Sequence, residues 1–203
     1  MAGSPHKLRI IGIRVMLAIF AVVGSLLIAA GSAEAAAYYN LMIASVNGWT
    51  LYNQQHNNWC WAGSAQIGIQ RIKGTSPSQC DIVKFTKSSP DCLDGTNLLS
   101  GLTRTFTNWG VPSSYSASPL TFPTASSLNS NGGGALSQID WTKGGAHVTT
   151  IIGSTSQGTV TVYNIQTQSV SSYATMPWAT YSSGSSALFS GTYKLSVFIG
   201  VSK

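Results

Sequence analysis

The residues best suited to chemistry begin at Cys60, inside the run Gln54-Gln55-His56-Asn57-Asn58-Trp59-Cys60-Trp61-Ala62-Gly63. A thiol is a weak nucleophile near neutral pH unless its pKa falls, and a helix N-terminus lowers it through unpaired N–H groups and the positive end of the dipole. Trp61, Ala65, Gly68, Ile69 and Ile72 recur at helical spacing, so a helix is predicted to start at Cys60 with Asn57 or Asn58 as its cap. Cys60 would then lie on the exposed first turn. An unpaired cysteine between two tryptophans also fits a small buried hydrophobe. The amide-rich run favours chemistry, because a core helix has no use for it, whereas an acyl intermediate needs amide donors around its oxyanion. Gln54 and Gln55 are the rival candidates for that donor.

His147 is the matching base. It follows Gly144-Gly145-Ala146, where small residues allow close approach, and it opens a strand-like run. Imidazole can take a thiol's proton and later protonate a leaving amine near neutral pH. Asn164 comes directly after the alternating run at 159–163, and its amide oxygen could accept the second imidazole N–H and fix the tautomer. Asparagine also favours strand-end turns for its own sake. Gln166 takes the role if the strand runs two residues longer. His56 reads as a surface loop residue.

Three cysteines leave one unpaired if the other two are bridged. Cys80 and Cys92 flank the polar loop Lys87-Ser88-Ser89-Pro90-Asp91, and a bridge between them would stabilise by about 2–3 kcal/mol. Cys60 would then be free. Pairing Cys60 with Cys80 or with Cys92 would instead remove the nucleophile.

The Gln54…Cys60-Trp61-Ala62 pattern resembles the active-site start of papain-like cysteine peptidases, with glutamine six before the cysteine and tryptophan directly after it. Asn58-Trp59-Cys60-Trp61-Ala62 is similar to the compact bacterial members of the secreted-effector type, and the likeness runs in pieces over residues 54–178. The resemblance implies a papain-like fold, its N-terminal helical half carrying the nucleophile against a C-terminal antiparallel sheet. It implies Cys60 as nucleophile, His147 as base, Asn164 as orienter and Gln54 in the oxyanion hole, with peptide bonds cleaved through a thioester. Asn164-Ile165 keeps the papain-type third residue, where many compact relatives carry aspartate followed by proline. Ala146 replaces a glycine often found before the histidine.

These groups need elements to position them. Residues 1–35 read as a secretory signal, with His6, Lys7, Arg9 and Arg14 at a basic start, an apolar run over 15–30 and a small-x-small site at Ala33-Glu34-Ala35. Ala35-Ala36-Ala37 is a second possible cleavage site, and an uncleaved anchor is the alternative; both imply export. Residues 36–203 form one domain of about 168 residues. A helical turn is predicted at 79–85. A helix follows over 96–109, with Leu98, Leu99, Leu102, Phe106 and Trp109 packed and Gly110 ending it. Residues 111–134 read as connection with one short helix at 122–128, closing on a Gly132-Gly133-Gly134 turn. From Ala135 the period becomes two, with strands at 135–141, 147–153 and 159–163 and a last one carrying Tyr193, Leu195, Val197 and Ile199. Helices followed by strands in blocks make the fold class α+β.

Beyond the signal, eight basic and four acidic residues remain, scattered and without a basic run, which argues against nucleic-acid binding. Two histidines without carboxylate or Cys-x-x-Cys spacing argue against a zinc site. The expectation is therefore a secreted, monomeric cysteine peptidase acting on protein or peptide substrates, with no cofactor, no metal and no membrane contact after signal cleavage. Two alternatives stand beside it: an exported Cys-His amidase or endopeptidase of cell-wall peptides, and a catalytically inactive secreted binding module on the same scaffold.

Overall fold

In a computed structural model that describes residues 42–167 and 171–203, the helix predicted at Cys60 is α1, Cys60–Lys73. All described residues fall in one unit, Asn40–Lys203. The signal expected over residues 1–35, with both of its cleavage sites, lies outside the described residues. Side chains 61–69 of α1 are buried without exception, so the helix is enclosed on all sides rather than on the single face its spacing predicts. Its small residues permit this: a Cβ on Gly68 would lie 3.2 Å from the Phe106 ring, and one on Gly63 would collide with Ile165. Gly74 closes the helix at φ 75°, the left-handed cap.

Two further helices pack beside it. α2, Gln79–Lys87, opens on a capping box between Ser78 and Asp81 and runs past the predicted turn. A 3-10 turn, Leu99–Gly101, leads into α3, Leu102–Asn108. The predicted stop holds, with Gly110 at φ 66°. The predicted start does not, because of two adjacent leucines Leu99 takes the buried position and Leu98 is left 74% exposed. α4, Phe122–Ser130, is capped by Thr121 and extends the short helix expected there.

The predicted strands are β4 (Gly134–Trp141), β5 (Ala146–Ser154), β6 (Thr159–Asn164) and β8 (Tyr193–Val201). Two more, β3 (Ser113–Ser116) and β7 (Ser172–Pro177), complete one antiparallel sheet in the order β3-β8-β4-β5-β6-β7. The sequence does not announce β3 or β7, since both are short edge strands whose polar residues show no alternation. A separate hairpin, β1 (Met42–Val46) and β2 (Trp49–Tyr52), turns at Asn47-Gly48 with φ 53° and 77°. α5, Trp178–Ser182, follows β7. The class is mixed α+β, as expected.

The sheet carries a core on each face, and its strands alternate between them. Leu136, Val148, Ile152 and Tyr163 join α1, α2 and α3 in one core. Ala135, Ile139, Ile151, Val160 and Val162 join Tyr181 and Phe198 in the other. One bridge then ties the loop before α1 to the end of β6: Gln54 N donates to Gln166 O at 3.0 Å, and Gln54 pairs in parallel with Thr167.

Candidate active site

Cys60 is the first residue of α1, as its spacing predicts. Neither Asn57 nor Asn58 caps the helix; Trp59 holds the cap position and offers no side-chain bond. Asn58 is committed elsewhere, its backbone and side-chain N–H groups both donating to the Asp94 carboxylate at 3.1 and 3.2 Å. The first turn therefore keeps its donors, and the backbone N–H groups of Val148, Trp61 and Cys60 itself pull the Cys60 pKa down. They favour thiolate, but burial of the half-buried thiol outweighs them and leaves the Cys60 pKa above its ordinary value. The expected net depression by the helix start is thus reversed by desolvation.

Cys80 and Cys92 are bridged, with Cα atoms 5.2 Å apart, and Cys60 is the free cysteine. The bridge anchors the segment just after Cys92, which grips the start of α1. Trp59 Nε1 donates to Leu93 O at 3.3 Å, Trp61 Nε1 to Gly95 O at 3.0 Å, and Asp94 takes Asn58. Both tryptophans are buried struts, and Trp61 also lines the cavity.

His147 and Asn164 meet across β5 and β6. His147 Nε2 lies 2.9 Å from Asn164 Oδ1. Asn164 Nδ2 donates to Leu188 O at 3.2 Å, which assigns Oδ1 as the acceptor and makes His147 Nε2 the protonated nitrogen. Nδ1 is then the basic one. Gln166, the second candidate for this place, instead donates to Asn164 Oδ1 at 3.2 Å and helps to lock the amide. Burial lowers the His147 pKa to about 4, against the opposing pull of Asn164 and the Ile165 backbone. The Trp141 ring lies near-parallel to the imidazole, centroids 6.5 Å apart.

Cys60 and His147 line the same cavity of about 120 Å³, together with Asn57, Asn58, Gln138 and Ala146. No hydrogen bond joins thiol to imidazole among the described residues. A second hollow of about 430 Å³ continues along Thr96, Asn97 and Leu98, sharing Gln138 and Ala146. Among the described residues, no aspartate, glutamate, lysine or arginine lines either space.

Gln54 does not line this cavity. Its Nε2 donates to His56 O at 3.0 Å and Asn57 O at 2.9 Å, so both carbonyls of the loop before Cys60 are held by it. Gln55 N donates to Gln79 Oε1 at 2.9 Å. His56 is exposed, with its ring 4.2 Å from that of Trp59. Gln79 is a residue that sequence reasoning passes over. Fully buried, its Nε2 donates to Asn53 O and Gln66 Oε1, joining the loop to α1 and α2. Asp94 is missed likewise, because its partner lies 36 residues upstream. The described residues hold no group of three or more metal-ligating side chains, and none of their helices is long and apolar enough to cross a membrane. No protein-family model matches the chain, and no curated protein matches it in sequence.

Proposed function

We propose that the chain is an exported cysteine peptidase of papain-like arrangement, with Cys60 as nucleophile, His147 as base and Asn164 as orienter. The observation that carries this reading is the 2.9 Å bond from His147 to Asn164, made on strands that open onto the cavity holding the free thiol. The resting pair is thiol and neutral imidazole, so chemistry starts with proton transfer from Sγ to Nδ1. The thiolate adds to a peptide carbonyl, and the amine leaves with the proton held by His147. The same imidazole then deprotonates water to hydrolyse the thioester. Asn164 keeps Nε2–H occupied so that Nδ1 faces the reaction.

The Cys60 backbone N–H supplies one oxyanion donor. Gln54 is the second by resemblance, and it can serve only by turning its amide away from a loop carbonyl, since an amide has two N–H donors. The Cys80–Cys92 bridge supports action in an oxidising compartment. The protein would act as a monomer on protein or peptide substrates.

The test is turnover of casein by wild type beside Cys60→Ala and His147→Ala. Loss of proteolysis in both variants supports the proposal. Release of soluble peptidoglycan fragments without casein cleavage would replace it with a cell-wall amidase, and no turnover of either substrate by the folded wild type would leave a binding module.

A further inference from the structure

A larger hollow, of about 650 Å³, lies at the opposite ends of the two elements that carry Cys60 and His147. That volume is within the range of small-molecule sites. Arg71 reaches it from the last turn of α1, roughly 16 Å along the helix from Cys60. Gly153 reaches it from the end of β5, roughly 20 Å along the strand from His147. The hollow shares no lining residue with the Cys60 cavity.

Its lining has one cation and no carboxylate. The Arg71 guanidinium is fixed in place: Nε donates to Gly132 O at 3.0 Å, Nη1 to Gly48 O at 2.8 Å, and its carbon stands 5.5 Å over the Trp49 ring. Nη2 makes no bond to the described residues. Around it, the side chains of Asn47, Ser126, Ser154 and Ser156 also bond no other described residue, so their donors and acceptors face the hollow or solvent. Tyr173, half exposed, adds an open aromatic face, one of few large apolar side chains left uncovered. The floor is irregular, because the β5–β6 register slips between Ile151 and Gly153, and a bulge of this kind turns backbone groups out of the ladder. Asn47 packs so close to Gly153 that a Cβ there would lie 2.5 Å from its amide nitrogen.

Unpaired hydroxyls and one unpaired amide around an aromatic face complement a ring that carries many hydroxyls and has an apolar side. A pre-positioned guanidinium adds selectivity for a carboxylate. The geometry points to a binding site for an acidic saccharide, with a sugar ring against Tyr173, its carboxylate on Arg71 and its hydroxyls on Asn47 and the serines. This assignment does not depend on the peptidase reading.

The test is calorimetric titration of the full chain carrying Cys60→Ala with trigalacturonate, and with cellotriose as the uncharged probe. Saturable binding of trigalacturonate is expected, with cellotriose weaker by about tenfold or more. Asn47→Asp sets a carboxylate beside Arg71 at a left-handed position that aspartate tolerates, and Tyr173→Ala removes the platform. Each should weaken trigalacturonate by about tenfold while the melting temperature is kept. Absence of saturable binding, equal binding of the two sugars, or undiminished binding in both variants would overturn the site.

Discussion

At His147, burial and hydrogen bonding act in opposite directions, and burial dominates. The folded imidazole titrates at about 4 against 6.5 for the free side chain. Between those values the unfolded chain holds a proton that the native chain does not. Stability is therefore complete above about pH 6.5 and is lost as pH falls towards 4. Urea midpoints measured across that window should decline in wild type more steeply than in His147→Ala. The same depression keeps the base neutral in mild acid, so the acid limb of kcat/KM should fall near pH 4 rather than near 6.5. Cys60 behaves as its mirror. With its pKa raised by burial, alkylation of Cys60 should keep accelerating into alkaline solution, and a plateau near neutrality would instead reveal a preformed thiolate. Asn164→Ala should leave that alkylation intact while lowering kcat by roughly a hundredfold, because the imidazole loses the bond that orients it.

Three elements converge on Cys60, and the side chains joining them are polar and buried. Gln79 links α2 to the loop before Cys60 and to Gln66 of α1 through three bonds. Gln79→Ala strands those partners, and a loss of about 3 kcal/mol or more is expected in equilibrium urea unfolding. Gly63 marks where α1 meets the chain after β6. Gly63→Ala drives a methyl into Ile165, the neighbour of Asn164, so a destabilisation of about 1–3 kcal/mol should come with loss of activity. Comparing the two variants at matched stability separates damage to the scaffold from damage to the site. A sequence window holds neither contact, as Gln79 lies 24 residues from Gln55 and Ile165 more than a hundred from Gly63.

On the scale of the whole molecule, the Cys80–Cys92 bridge and the Gln54–Gln166 strand bond close the chain around α1 from two sides. Reducing the bridge should lower the melting temperature by roughly 5–10 °C for a domain of this size, and activity should fall with it as the segment holding Asn58, Trp59 and Trp61 loosens. Local periodicity was enough to reveal α1, its start at Cys60, the strands β4, β5, β6 and β8 and the α+β class, because each of these carries a regular apolar repeat. Residue chemistry was enough to nominate Cys60, His147 and Asn164, and cysteine parity to require a free thiol. Which cysteine stayed free was a tertiary matter, decided by the 5.2 Å approach of two Cα atoms that no spacing rule imposes. So were the edge strands β3 and β7, which take their form from a neighbouring strand and not from their own polar residues. The engagement of Gln54 with two loop carbonyls and the reversal of the thiol's pKa are of the same kind, since direction and desolvation depend on what packs around a side chain. The sequence by itself determined the elements and named the candidate groups they bear; only the tertiary structure decided the partners and charge states of those groups, because both depend on atoms brought near from distant parts of the chain.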